Sequence, residues 1–238
     1  MTNETTNETE QLPTGADKVV AVQSMFDRIA PRYDVVNRIM TFRMDVGWRR
    51  RTVRELGLAP GSLVVDLACG TGDLIADLHR HGYAAIGADL SHGMLAHATV
   101  DAPLVQADGL RLPLGDGSVD GLTCGFALRN VVDLAACLNE IGRIVRPGGR
   151  IGLLEVAQPS NPIMRFGHGI YFGRVVPLVG AALSDGAAYR YLPRSVAYLP
   201  PTDELLGLVG AAGFEAVRRD ELTGGIAQLI TATRRAAG

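Results

Sequence analysis

Val64-Val65-Asp66-Leu67-Ala68-Cys69-Gly70-Thr71-Gly72-Asp73-Leu74 runs from a short apolar strand through glycines into a helix. Glycine in such a turn lets the backbone fold tightly and approach a ligand without a Cβ in the way. Downstream the same rhythm repeats. Apolar runs at Leu63–Leu67, Ala84–Ala88, Leu104–Ala107, Val119–Cys124 and Arg150–Val156 alternate with helical stretches, including Leu134–Val145 before Pro147-Gly148-Gly149. Strands separated by helices predict right-handed crossovers and a parallel, doubly wound α/β sheet. Phe214–Leu222 and Ile226–Thr233, joined by Thr223-Gly224-Gly225, read as an antiparallel hairpin on the sheet edge. Together they predict seven strands in a Rossmann-like sheet.

The chemistry of the turn limits its ligand. Gly70-Thr71-Gly72 lacks the third glycine of a dinucleotide fingerprint, because Ile75 stands there. Asp66 adds negative charge where a pyrophosphate would lie, whereas a sulfonium with an α-amino group favours a carboxylate nearby. The pattern therefore points to S-adenosylmethionine. Asp89 closes the second strand, where a carboxylate accepts both ribose hydroxyl hydrogens. After the third strand, Asp108 is expected to accept from an adenine amino group and the Gly109 N–H to meet a ring nitrogen. Gly70, Thr71 and Gly72 form the cradle. The five histidines show no metal-ligand spacing, so no metal is expected.

Outward from this core the chain divides. Residues 1–18 are rich in Thr, Asn and Glu and read as a disordered tail. A single domain is expected over 19–238: N-terminal helices at 19–58, a cofactor core at 60–158, a helical insertion capping the sheet at 159–200, and a last helix and hairpin at 201–238. Lys plus Arg total 23 against 25 Asp plus Glu, a balance that suggests no nucleic-acid partner. Cys69, Cys124 and Cys137 are odd in number and lack zinc spacing, which suits a reducing cytoplasm. The apolar stretch 163–183 carries Arg165, His168, Arg174 and Pro177, so a membrane span is not expected.

Several segments together resemble the ubiquinone/menaquinone-biosynthesis C-methyltransferases, a class I S-adenosylmethionine-dependent family. They are Tyr33-Asp34-Val35-Val36-Asn37 with Asp45-Val46-Gly47-Trp48, Phe126-Ala127-Leu128-Arg129-Asn130-Val131, Arg143-Ile144-Val145-Arg146-Pro147-Gly148-Gly149, and Tyr189-Arg190-Tyr191-Leu192-Pro193-Arg194. Asp45 stands where the family commonly has His, a replacement similar to that in menaquinone-branch members. Gly125 stands where Ser is frequent, at a position expected to line the cofactor. The resemblance implies methylation of demethylmenaquinol, with Arg129 steadying the quinolate oxygen. It also implies proton removal by Asp45, or by a water held by Tyr33 and Asn37. Apolar residues of 163–183, near Phe166, Ile170 and Tyr171, are expected to shelter a polyprenylated quinol and to touch the inner face of the membrane transiently. A homodimer is left open, as are two other readings: a methyltransferase for another small aromatic acceptor, and a non-catalytic adenosylmethionine-binding module.

Overall fold

A computed structural model describes residues 14–159, 161, 162, 165, 166, 169, 171, 191 and 194–236. The seven strands are β1 (Leu63–Leu67), β2 (Ala84–Asp89), β3 (Leu104–Gln106), β4 (Val119–Gly125), β5 (Val145–Val156), β6 (Phe214–Leu222) and β7 (Ala227–Arg234). They form one sheet in the order β3-β2-β1-β4-β5-β7-β6. β1 pairs in parallel with β2 on one side and β4 on the other, so the strand order reverses at β1. That is the switch point beside which open α/β sheets bind ligands. β7 enters antiparallel between β5 and β6, as the edge hairpin predicts.

Strand alternation in β1 feeds two cores. Val65 and Leu67 pack with α6 (Leu134–Ile144) and with Leu205 and Val209 of α7 (Thr202–Ala211). Val64 packs on the opposite face with α3 (Met44–Leu56) and α4 (Asp73–Arg80). A sheet buried on both faces explains why its central strands read as nearly continuous apolar runs. A third cluster joins α1 (Gly15–Ile29) and α2 (Tyr33–Met40) through Met25, Ile29, Val36 and Met40. It reaches Met94 of α5 (His92–Ala96), and Tyr171 and Tyr191 pack against it. These helices cap the carboxyl ends of the strands.

Two boundaries differ from the sequence reading. α1 begins at Gly15, inside the expected tail, and Lys18 is only 4% exposed. α6 stops at Ile144, and β5 starts at Val145 rather than Arg150. Pro147-Gly148-Gly149 is a bulge within that strand: Val119 pairs with Val145 and Gly121 with Arg150. A Cβ on Gly149 would lie 2.7 Å from the Asp120 carbonyl oxygen, so the bulge requires glycine there. Residues 1–13 of the expected tail 1–18 and most of the insertion, including Ile170, lie outside the described residues.

Candidate cofactor and acceptor site

The carboxyl ends of β1, β2, β3 and β4 surround a pocket with about 980 Å³ of empty space, counted out to its open mouth. Leu67, Ala68 and Gly70 form its floor at the turn after β1. Asp89 and Ser91 follow β2, Asp108 and Gly109 follow β3, and Phe126, Ala127 and Asn130 follow β4. α1 supplies a roof of Val19, Val22, Gln23 and Phe26, and Tyr33 of α2 closes one side. A mainly apolar wall with a few convergent polar groups is the usual character of a small-molecule site.

The turn is held from both sides. Gly70 has φ +55°, and a Cβ placed on it would meet nothing within 4 Å. The space beside it belongs to the pocket, so glycine leaves room for a ligand. Asp89 fastens the turn to the next loop: one carboxylate oxygen accepts from the Gly70 N–H at 2.8 Å, the other from the Ser91 N–H at 2.8 Å. Burial raises its pKa, and those N–H donors pull the other way. Asp108 accepts from the Leu110 N–H at 2.9 Å and still faces the pocket.

Other expected cofactor residues stand behind the wall. Thr71 donates its hydroxyl to Asp34 at 2.6 Å, fastening α2 to the turn. Gly72 has φ +95°, and a Cβ there would strike Val100 at 2.6 Å. Gly125 ends β4 against Leu74, where an added Cβ would lie 2.9 Å from that side chain. Asp66 is buried on β1; Oδ1 accepts from the Thr123 hydroxyl at 2.8 Å, while Oδ2 has no partner among the described residues. Burial pushes its carboxyl up to about 8, against the lowering effects of Thr123 and Arg49.

S-adenosylmethionine fits this donor set. Asp89 would hold the ribose, Asp108 and Gly109 the adenine edge, and the open side of Gly70 the methionine end. Asp66, buried behind the turn, would supply the negative charge that an ammonium group needs once it gives up its proton. The apoprotein keeps the Asp66 proton up to pH about 8, above the ordinary range. A cation bound nearby favours the carboxylate, so binding should release a proton below pH 8, and affinity should rise as pH approaches 8 from below. Calorimetry at pH 6.5 in two buffers of different ionisation enthalpy checks this. The apparent enthalpies should differ for the native chain and coincide for Asp66→Asn.

Of Tyr33, Asn37, Asp45 and Arg129, only Tyr33 lines the pocket. Its ring stands edge-on to Phe26, with centroids 6.1 Å apart. Asn37 lies half-buried outside the lining, its carbonyl taken by Thr41. Asp45 is fully buried and has both oxygens occupied, by the Thr41 hydroxyl and by Arg49, each at 2.5 Å. Arg49 reaches on to Asp73 at 2.9 Å, and Arg38 joins the same carboxylate at 3.0 Å. Asp45 thus belongs to an ion-pair network that braces α2, α3 and α4.

Arg129 also turns away from the pocket lining. Its guanidinium pairs with buried Glu155 and donates to the Phe126 carbonyl at 2.6 Å and the Ser195 hydroxyl at 3.1 Å. Next to it, Asn130 faces the pocket, and its Oδ1 accepts from the Tyr191 hydroxyl at 3.2 Å. The amide NH₂ of Asn130 is thereby left to donate. Sequence reasoning missed the roof contacts altogether. Lys18 donates to the carbonyls of Arg129 at 3.0 Å and Val131 at 2.9 Å, and lies 3.7 Å over the Tyr198 ring. Burial pushes its ammonium down to about 8. Gln23 donates to the Leu90 carbonyl at 3.2 Å, and Asp27 accepts from the Ser91 hydroxyl at 2.5 Å. The signal was present: Lys18 lies four residues before Val22 and continues the buried stripe of Met25 and Ile29.

Comparison with known proteins agrees with this geometry. A model of the ubiE/COQ5 methyltransferase family matches residues 14–234. A ubiquinone/menaquinone biosynthesis C-methyltransferase of Syntrophotalea carbinolica is 41% identical over 88% of this chain and 92% of its own length. A demethylmenaquinone methyltransferase of Roseiflexus castenholzii is 40% identical over 95% and 99%. In fold alone, the structure of the [4+2]-cyclase SpnF superposes with a TM-score of 0.69 at 14% identity, covering 95% of this chain and 99% of that one. A family match across nearly all described elements, over a sheet whose strand ends gather Gly70, Asp89 and Asp108, means that the chain belongs to the UbiE/COQ5 family and is an S-adenosylmethionine-dependent methyltransferase.

Proposed function

We propose that this enzyme methylates a ring carbon of demethylmenaquinol, giving menaquinol. The observation that carries the reading is the near-full-length similarity to relatives named demethylmenaquinone methyltransferase. The apolar roof and Phe126 suit a flat, uncharged ring.

S-adenosylmethionine, when bound, supplies an electrophilic methyl on a sulfonium. The chain's task is to align the acceptor, exclude water and handle one proton. A quinol carbon becomes nucleophilic when its neighbouring hydroxyl is ionised. The Asn130 NH₂, fixed by Tyr191, is placed to donate to that oxygen. Arg129, one residue away, adds positive charge and holds the loop. With both Asp45 oxygens engaged, the proton acceptor carried forward is a water beside Tyr33. Overall the ring C–H is replaced by C–CH₃ and one proton leaves to solvent. Val19, Val22 and Phe26 limit water from above.

The enzyme is proposed to work at the cytoplasmic face of the membrane, where a polyprenylated quinol resides, and a homodimer is compatible with the reading. Among the described residues no helix is long and apolar enough to cross a membrane. The test is incubation with methyl-labelled cofactor and a panel of demethylmenaquinols, demethylubiquinols and unrelated phenols. Label should enter demethylmenaquinol. Preferential labelling of an unrelated phenol would replace this reading with the other small-aromatic one.

A further inference from the structure

The outer face of α2 carries a second pattern that the cofactor site does not use. Its inner face buries Val36 and Met40. Val35 and Ile39, one helical turn apart, are 59% and 46% exposed, and Phe42 continues their line at 70%. Phe166 is 73% exposed in the neighbouring segment, and Tyr171 there packs on Phe42 with ring centroids 5.5 Å apart. Tyr171 also donates to the Met40 carbonyl at 2.7 Å, which ties it to the end of α2. At about 100° per residue, Arg38, whose guanidinium also reaches Asp73 at 3.0 Å, falls on one flank of the stripe, and Arg32 precedes the helix as its N-cap. Arg43 stands exposed just beyond Phe42. Asp34, the one carboxylate of α2, turns inward to Thr71.

Phe42 and Arg43 have φ of +50° and +62°, a region unusual for a bulky side chain. The chain therefore accepts an unfavourable backbone to set an aromatic ring on the surface next to a cation.

We infer that the outer face of α2, continued by Phe42, is the surface by which this enzyme docks on an anionic lipid bilayer. An apolar stripe bordered by arginines fits a headgroup layer: the apolar side chains enter the acyl boundary, and the guanidiniums meet lipid phosphates. A second copy of the chain fits less well, because a twofold contact through this face would bring its arginines against their own counterparts. The placement rests on the proposed quinol substrate for its purpose. Tyr33, in the first turn of α2, lines the pocket, so a bilayer on the outer face lies about one helix diameter, ~10 Å, from the acceptor site.

The test is flotation of the full chain with vesicles of phosphatidylcholine alone and with phosphatidylglycerol added. The native chain should float with the anionic vesicles, less so as salt rises. The triple variant Val35→Asn, Ile39→Asn, Phe42→Asn should lose at least about tenfold in bound fraction. Asn suits positive φ at 42, so melting temperature and cofactor affinity should stay near native values. Methyl transfer to detergent-dispersed demethylmenaquinol should persist in the variant, and transfer to vesicle-embedded quinol should fall. Absence of native flotation, or equal flotation of native chain and variant, overturns the inference. So does a variant that changes only the sedimentation of the free protein, which would mark a contact between copies. If no demethylquinol is methylated by the native chain, the proposed reaction fails, while the flotation comparison still decides the docking surface.

Discussion

Arg129→Ala is expected to lower stability by about 3–5 kcal/mol, the usual consequence of leaving one partner of a buried ion pair unmatched. Glu155 is fully buried. It meets the Arg129 guanidinium and also accepts from the N–H of Arg129 at 3.2 Å and of Val156 at 2.8 Å. Without Arg129 it must hold a charge in the core or take up a proton. For a chain of this size the melting temperature should drop by on the order of 10 °C. The loop that presents Phe126, Ala127 and Asn130 would loosen with it, so cofactor affinity should fall as well. Arg129→Lys keeps a charge but not the fork that serves Glu155, Phe126 and Ser195 together, and should lie between. The double variant Arg129→Met, Glu155→Gln separates bracing from chemistry. It removes both charges while the Gln oxygen still accepts from the Arg129 and Val156 N–H groups, so it should restore much of the melting temperature. If Arg129 also favours the quinolate through its charge, kcat should remain down by about 10²–10³ even in that stable protein. Recovery of kcat along with stability would reduce Arg129 to a brace. Melting, cofactor affinity and kcat on the same preparations decide the matter.

Gly70→Val should weaken cofactor binding by at least about 10²-fold, about 2.7 kcal/mol. The branched side chain would fill the open space beside the turn, in a φ of +55° that β-branched residues avoid. No protein atom lies within 4 Å of the added Cβ, so the fold itself should suffer mainly the backbone cost of about 1–2 kcal/mol. Gly72→Val makes the useful contrast. There the new side chain would meet Val100, so stability should fall first. Calorimetric affinity beside thermal melting would show the two glycines doing different work. Native-like affinity in Gly70→Val would remove the turn from the cofactor site.

The sheet was readable because its signals are local. β1, β2 and β4 are short apolar runs that lead into Asp or Gly, and the hairpin of β6 and β7 announces itself through Thr223-Gly224-Gly225. The carboxylates at strand ends were readable for the same reason: chain order and strand order coincide along β1, β2 and β3. What escaped depends on partners distant in sequence. Arg129 is separated from Glu155 by 26 residues and from Ser195 by 66, so sequence alone leaves open whether it faces an acceptor or pairs with a carboxylate such as Asp133 or Glu155 to hold the loop. Asp45 is different: its partner Arg49 stands at i+4 on the same helix, a spacing legible in the sequence, and only Asp73, which Arg49 also reaches, is distant. The start of α1 was hidden by composition, since a lysine in a polar stretch looks solvated until its two carbonyl acceptors and the Tyr198 ring are known. The β5 bulge was concealed by a Pro-Gly-Gly that ordinarily signals a stop.

The roof helix gives the molecule two layers of different cohesion. The seven-stranded sheet is knitted by continuous ladders, whereas the contacts that hold α1 over the pocket are made by side chains, among them Lys18, Gln23, Asp27 and the cluster around Met25 and Ile29. Such an element opens locally at far less cost than the sheet unfolds. Any molecule that touches both floor and roof must then close that helix as it binds, and its measured affinity is reduced by the fraction of time the helix is away. Amide hydrogen exchange along α1 should therefore slow when the pocket is filled, and a roof that opens slowly should lengthen the stay of a product.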